Sequence, residues 1–165
     1  MRRPTPDPVA PGQESVWAYP RPPALDPSAE HVVVRFAGET IAESRASVRV
    51  LETSHAPVYY LPPADVAARF LVPIDRRTSC EYKGAAAYAD LMVAGRRSRA
   101  ACWWYPRPTR GFEGLAGWIA FYPSRVDDIT VDGETVRPVG GDFYGGWVTS
   151  RVVGPFKGGP GTERW

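Results

Sequence analysis

The chain has 165 residues, 44% of them hydrophobic and 23% charged, with a formal net charge of +2. That is the balance of a soluble globular domain, and the charge is too small for a dedicated nucleic-acid binder. No apolar run approaches the ~18 residues that a membrane helix needs, and the start Met1-Arg2-Arg3-Pro4 lacks the apolar stretch of a secretion signal. The expectation is a cytoplasmic protein with neither nucleic acid nor membrane as a partner.

Two cysteines (Cys80, Cys102) and two histidines (His31, His55), with no Cys-x-x-Cys pair, do not make the four-ligand set of a structural zinc site. No metal or other cofactor is expected. Two asymmetries stand out. Prolines crowd residues 1–30 and glycines crowd residues 139–165, and Arg outnumbers Lys by 18 to two. The two lysines share a local setting, Tyr82-Lys83-Gly84 and Phe156-Lys157-Gly158.

In chain order, residues 1–12 read as a disordered leader, because proline removes amide donors and blocks both helix and sheet. Residues 13–29 read as a docked Pro-rich strap carrying Trp17 and Tyr19. Residues 30–138 read as the body. Strands are expected at 31–37, 40–43, 47–51, 58–61, 79–82, 87–93, 99–104, 118–122, 128–131 and 134–137. Turns fall at Gly38-Glu39, Ala94-Gly95-Arg96 and Asp132-Gly133. Pro63–Leu71 reads as one short helix with Pro at its first turn, and Gly111–Gly117 as a second helical turn. The fold class is mainly β: a single compact barrel-like or two-sheet domain with one or two short helices and ordered N- and C-terminal extensions. Residues 139–165 form a Gly/aromatic extension that wraps the body or covers a site as a lid.

Thr78-Ser79-Cys80-Glu81-Tyr82-Lys83-Gly84 resembles the core motif of the DUF427 family, a domain of unknown function sometimes labelled nucleotidyltransferase-like. Val58-Tyr59-Tyr60-Leu61-Pro62 with Asp65-Val66, Trp104-Tyr105-Pro106, and Ala120-Phe121-Tyr122 with Arg125-Val126-Asp127 resemble further motifs of that family, in order. The resemblance implies a compact β-rich fold and no established reaction.

The residues suggest chemistry on their own account. If 80–83 is strand, Glu81 and Lys83 share one face and Cys80 and Tyr82 the other. Glu81 and Lys83 are then either a solvated pair or an acid/base pair in a pocket. A surface cation is Arg at 18 other positions, which sets Lys83 apart as a compact amine able to act as base or form an imine. Lys157 is a candidate contact for phosphate or carboxylate. In each of Tyr59-Tyr60, Trp103-Trp104 and Phe121-Tyr122, one residue is expected to face inward and one outward. Tyr60, Tyr105 and Tyr122 are candidate pocket walls, and Arg125 a candidate anchor for an anion. Cys80 reads as a small buried hydrophobe more than a nucleophile.

Nucleotidyl transfer ranks third, because no phosphate-cradling glycine loop precedes a lysine and Asp127-Asp128 are adjacent on a strand. The preferred expectation is a small-molecule-binding protein for an anionic ligand, using Glu81/Lys83 chemistry without metal if it is an enzyme. The alternative is a non-catalytic binding or scaffold module.

Overall fold

The computed structural model describes residues 3–165; Met1 and Arg2, the first two residues of the expected leader, lie outside the described residues. Among the described residues fifteen strands succeed one another: β1 (Glu14–Ser15), β2 (Ala24–Ser28), β3 (Val32–Phe36), β4 (Glu39–Ser44), β5 (Ser47–Leu51), β6 (Val58–Tyr60), β7 (Leu71–Cys80), β8 (Gly84–Val93), β9 (Arg96–Trp104), β10 (Ala120–Phe121), β11 (Asp128–Val131), β12 (Glu134–Thr135), β13 (Arg137–Pro138), β14 (Trp147–Val148) and β15 (Val152–Val153). They form two four-stranded sheets, β10-β9-β8-β7 and β12-β11-β3-β4, a three-stranded sheet β2-β5-β6, and the pairs β13-β14 and β1-β15. The sheets pack on one another and do not close into a barrel.

Tight hairpins set the register. Ala37-Gly38, Ala94-Gly95 and Asp132-Gly133 each have two successive positive φ values, which is the turn whose twist matches that of the flanking strands. The first lies one residue earlier than Gly38-Glu39, because Glu39 already pairs with Phe36.

The Pro63–Leu71 helix does not form. Two 3-10 turns, Pro63–Asp65 and Ala68–Phe70, stand in its place. The backbone between them is taken by the sheet: Val66 bridges to Ala42, and the Ala67 N–H donates to the Ile41 carbonyl at 2.8 Å. The second expected turn is a 3-10 segment at Glu113–Leu115.

Strand β8 explains the internal layering. Ala89, Leu91 and Val93 enter one core with Val32, Val34 and Ile41 of the sheet opposite, while Ala86 and Tyr88 enter a second core with Val50 and Tyr60. The adjacent aromatics divide the same way. Tyr59 and Phe121 lie in the first core, and Tyr60, Trp103 and Tyr122 in the second; Trp104 packs half-buried on the first. The inward/outward expectation is therefore corrected: alternation holds, but both faces of these strands are covered.

At the β8–β9 register shift, Ala100 has φ 47° and both its backbone groups are met by side chains. The buried Asp90 carboxylate accepts its N–H at 2.7 Å, and Arg125 donates to its carbonyl at 2.8 Å. This is how a buried bulge avoids orphaned polar groups.

The two ends of the chain meet. β1 runs parallel to β15, and β2 pairs along β5 from Ala24↔Leu51 to Ser28↔Ser47. The Asp7 N–H donates to the Gly154 carbonyl at 2.9 Å. Trp17, Tyr19, Val16 and Val152 make a third small core against Phe156 and Trp165. Trp147 of the C-terminal extension enters the first core, stacked on Tyr59 at 4.6 Å and donating to the Phe121 carbonyl at 3.0 Å.

Candidate functional site

The motif Cys80-Glu81-Tyr82-Lys83-Gly84 is a turn. β7 ends where Cys80 pairs with Gly84, so Glu81, Tyr82 and Lys83 form the connection to β8, not a strand with two faces. Gly84 has φ 102°, which side-chain-bearing residues rarely adopt. Thr109 fixes the turn from outside: its N–H donates to the Lys83 carbonyl at 3.1 Å, and its hydroxyl donates to the Tyr82 carbonyl.

This turn buries Lys83, which is 8% exposed, while Glu81 stays at the surface. Among the described residues, no carboxylate lies within ion-pair distance of the Lys83 ammonium. Its amine stands over the Tyr105 ring, 5.9 Å from the centroid. Glu81 and Lys83 thus do not form a closed pair.

Lys83 lines a cavity of about 340 Å³, within the size range of ligand sites. Tyr60, Trp103 and Tyr105 form the aromatic wall. Trp103 donates from Nε1 to the Tyr60 hydroxyl at 3.3 Å. Burial pushes the Tyr60 and Tyr105 phenols well up, so both stay neutral. Cys80, Glu81 and Tyr88 also reach the cavity, Tyr88 with its hydroxyl 2.7 Å from that of Thr78.

The far side of the cavity comes from elsewhere in the chain. Ser54-His55 lies in a turn, with Ser54 at φ 73°. His55 lies against the cavity; its Nδ1 is 2.9 Å from the Thr53 carbonyl, which can only accept, so the proton sits on Nδ1. Burial lowers the His55 pKa below its usual value, the nearby Lys157 and Arg21 charges act the same way, and Glu52 and the Thr53 carbonyl only partly oppose them. The C-terminal extension closes this side with Phe143, Tyr144 and Lys157. Tyr144 meets His55 edge-on at 4.7 Å, and the Lys157 amine stands 5.6 Å from the Tyr144 ring centroid while donating to the Trp165 carbonyl at 3.3 Å.

Lys83 and Lys157 therefore meet at one cavity, joined at its rim by Arg76. Of the two acids there, Glu52 already faces Arg21 at 3.5 Å and His55 at 3.7 Å. Positive charge is left in excess.

Five of the expected site residues come together: Tyr60, Glu81, Lys83, Tyr105 and Lys157. Tyr122 and Arg125 do not reach the cavity. Tyr122 packs behind Trp103 at 4.4 Å, and Arg125 lies over the Tyr122 ring at 4.0 Å. The Arg125 fork is held by the Ala100 carbonyl and by Asp142 at 3.2 Å. The two similar segments of the sequence, Trp17-x-Tyr19-Pro20-Arg21-Pro22 and Trp103-x-Tyr105-Pro106-Arg107-Pro108, do not line one cleft, since Trp17 and Tyr19 belong to the third core and Trp103 and Tyr105 to the second. Cys102 is fully buried with its thiol pushed up to about 12, far from a nucleophile's range.

Glu52, Arg76 and Tyr88 line the cavity without having been singled out by sequence. Arg76 and Tyr88 carried one legible signal: they flank the motif turn on the two strands of its hairpin. Glu52 carried none, whereas Thr78 opens the motif itself and Tyr144 belongs to the aromatic extension expected to wrap the body or cover a site. Among the described residues, no group of three or more His, Cys, Asp or Glu side chains is placed to hold a metal ion. No helix is long and apolar enough to cross a membrane among those residues.

Packed antiparallel sheets around a cationic, aromatic-walled cavity define the class of protein. The chain belongs to the DUF427 family: the family model described as a domain of unknown function (DUF427) matches residues 24–132. No curated protein matches the chain. The matched span contains the motif turn and its tyrosines, and leaves out the extension that brings Tyr144 and Lys157.

Proposed function

We propose that the protein binds a small anionic organic molecule in this cavity. The carrying observation is that the chain's two lysines, far apart in sequence, line one cavity of about 340 Å³. Lys83 and Lys157 meet the anion as point charges, and Tyr60 and Tyr105 cover the apolar part. If the site is catalytic, Lys83 is its reacting group, with Glu81 at the cavity edge in an acid/base role. Tyr122 and Arg125 support the wall from behind. The domain division keeps residues 30–138 as the body, with 13–29 and 139–165 as extensions that complete it.

The test is a melting series with benzoate, benzyl phosphate and neutral isosteres such as benzyl alcohol. The anions are expected to raise the Tm of the wild type and not that of Lys83→Met. Equal shifts with neutral isosteres would overturn the reading.

A second reading, a non-catalytic interaction module, is favoured by one observation: Phe143 of the extension is 73% exposed at the cavity mouth. Under that reading Lys83→Arg leaves anion binding and partner binding intact. Nucleotidyl transfer requires carboxylates gathered around a metal; Asp127, the nearest sequence candidate, is instead engaged by Arg96 at 2.7 Å and by the Ala37 N–H.

A further inference from the structure

We propose that Lys83 forms an imine with a small carbonyl compound that also carries an anionic group, the anion being met by Lys157. The proposal rests on the anion-binding reading of the cavity and narrows its ligand to an oxo acid or a formyl-bearing aromatic acid.

The two amines differ in setting. Lys157 is half-buried at the mouth and already donates to the Trp165 carbonyl. Lys83 is deep, 8% exposed, and without a carboxylate partner among the described residues. An amine engaged by a carboxylate is turned away from a ligand; among the described residues Lys83 has no such partner and faces the cavity. Its amine faces the ring of Tyr105. The wall also holds two phenols that burial keeps neutral, and a neutral phenol can donate a hydrogen bond to a carbonyl oxygen or accept one from an amine. An arginine in place of Lys83 would supply charge but no nucleophile.

The step balances without a redox partner. The neutral Nζ attacks the carbonyl carbon, forming the C–N bond while the C=O π pair moves to oxygen, which takes a proton. Nitrogen gives up one proton to leave the neutral carbinolamine; its C–O bond then breaks as oxygen takes a second proton and leaves as water, and nitrogen gives up its second proton as the C=N bond is completed. One water is released per imine.

The chain contains just two lysines, which makes the readout simple. The full-length protein is incubated with 4-formylbenzoate and cyanoborohydride, and the adduct is mapped by peptide mass spectrometry. Among the lysine side chains the expected result is a reductive adduct on Lys83 and not on Lys157, suppressed by excess 4-(hydroxymethyl)benzoate, a non-reactive isostere; labelling of the chain's α-amine, which the isostere should not suppress, is the internal control. Lys83→Arg should lose the adduct by at least about tenfold while still showing a cooperative melt. Mapping on the wild type does not depend on that variant folding. If the isostere raises the Tm but the aldehyde leaves Lys83 unmodified, or labels both lysines equally, the imine is overturned and the anion site stands. If neither the isostere nor the aldehyde engages the protein, both are overturned.

Discussion

The Arg49 guanidinium, 2% exposed, is gripped end-on by Glu14, which accepts from Nη1 and Nη2 at 3.2 Å each. Glu14 also accepts from the Tyr19 hydroxyl at 2.7 Å and from Arg151 Nε at 2.9 Å. Arg151 reaches on to Glu30, which accepts from the Tyr59 hydroxyl. Strap, body and C-terminal extension are thus pinned by one charge network. Asp26 still accepts from Arg49 at 2.6 Å. Glu14→Gln should therefore cost about 3 kcal/mol, the lower end for breaking a buried pair, because one partner remains. Urea unfolding reads this directly; a change within about 0.5 kcal/mol would show that the network is mere surface decoration.

The same carboxylate sets an acid limit. Burial alone would raise the Glu14 pKa, but hydrogen bonds from Arg49 and Tyr19 and the Arg49 and Arg151 charges outweigh it and hold the carboxyl below its usual range. The folded pKa lies below the unfolded one. The stability it contributes is present above the unfolded value and is lost as pH falls through the folded one. His55, also lowered but chiefly by burial, adds to the loss: the unfolded state takes up its proton first as pH drops through the usual histidine range. Tm should fall on acidification in two stages, near pH 6–7 and again below about pH 4.5. His55→Gln should remove the first stage and Glu14→Gln shrink the second. A wild-type Tm flat from pH 8 to 5 would refute the histidine part.

How much of this was legible follows from which interactions are local. The hairpins were legible from Gly38, Gly95 and Gly133, which supply one of the two positive φ values such turns need; the first was expected one residue late because Ala37, at φ 50°, is not a residue that favours that region. The Pro63–Leu71 helix misled, because its periodicity was real but the Ile41 carbonyl outcompeted a local acceptor for the Ala67 N–H. The Lys83 motif was visible, yet its geometry was not: Gly84 turned a presumed strand into a loop and buried the lysine without Glu81. Arg125 looked like a free anchor because nothing local shows that Ala100, across the β8–β9 bulge, requires its fork.

The body does not complete its own core. Trp147 is 1% exposed among first-core residues, so Trp147→Ala should cost about 3–5 kcal/mol. Ending the chain after Pro138 should do more harm, removing Trp147 together with the Arg151 link. Circular dichroism melts of the two variants check this; a truncated chain that melts like the full-length protein would detach the extension from the fold.

The cavity mouth depends on a close approach that only glycine permits. Gly145 has φ 68°, and a Cβ there would meet the Trp103 ring edge and, at 3.2 Å, Tyr122. Gly145→Ala should therefore lift the segment that carries Phe143 and Tyr144 and destabilise by about 1–3 kcal/mol. Phe143→Ser, at an exposed position, should leave Tm within about 1 °C to 2 °C, since surface changes stay near 0.5 kcal/mol. Both variants should release a bound anion faster, which stopped-flow displacement of benzoate by a competing anion measures. If Phe143→Ser leaves the release rate unchanged, the extension is a fixed wall and not a lid.

The two lysines should separate by conservative exchange. Lys157 acts at the rim, beside Tyr144 and the Trp165 carbonyl, where a longer guanidinium has room to reach the same anion. Lys83 is enclosed, and an arginine there must fit a planar fork against Tyr105, where no carboxylate among the described residues pairs with the native amine. Lys157→Arg should keep benzoate affinity within about threefold, whereas Lys83→Arg and Lys83→Met should each weaken it by about tenfold or more, the scale of one charge-assisted contact. Calorimetric titration at constant ionic strength gives the Kd values. Equal tolerance of arginine at both positions would make Lys83 a mere counter-charge and favour the interaction-module reading over a reacting lysine.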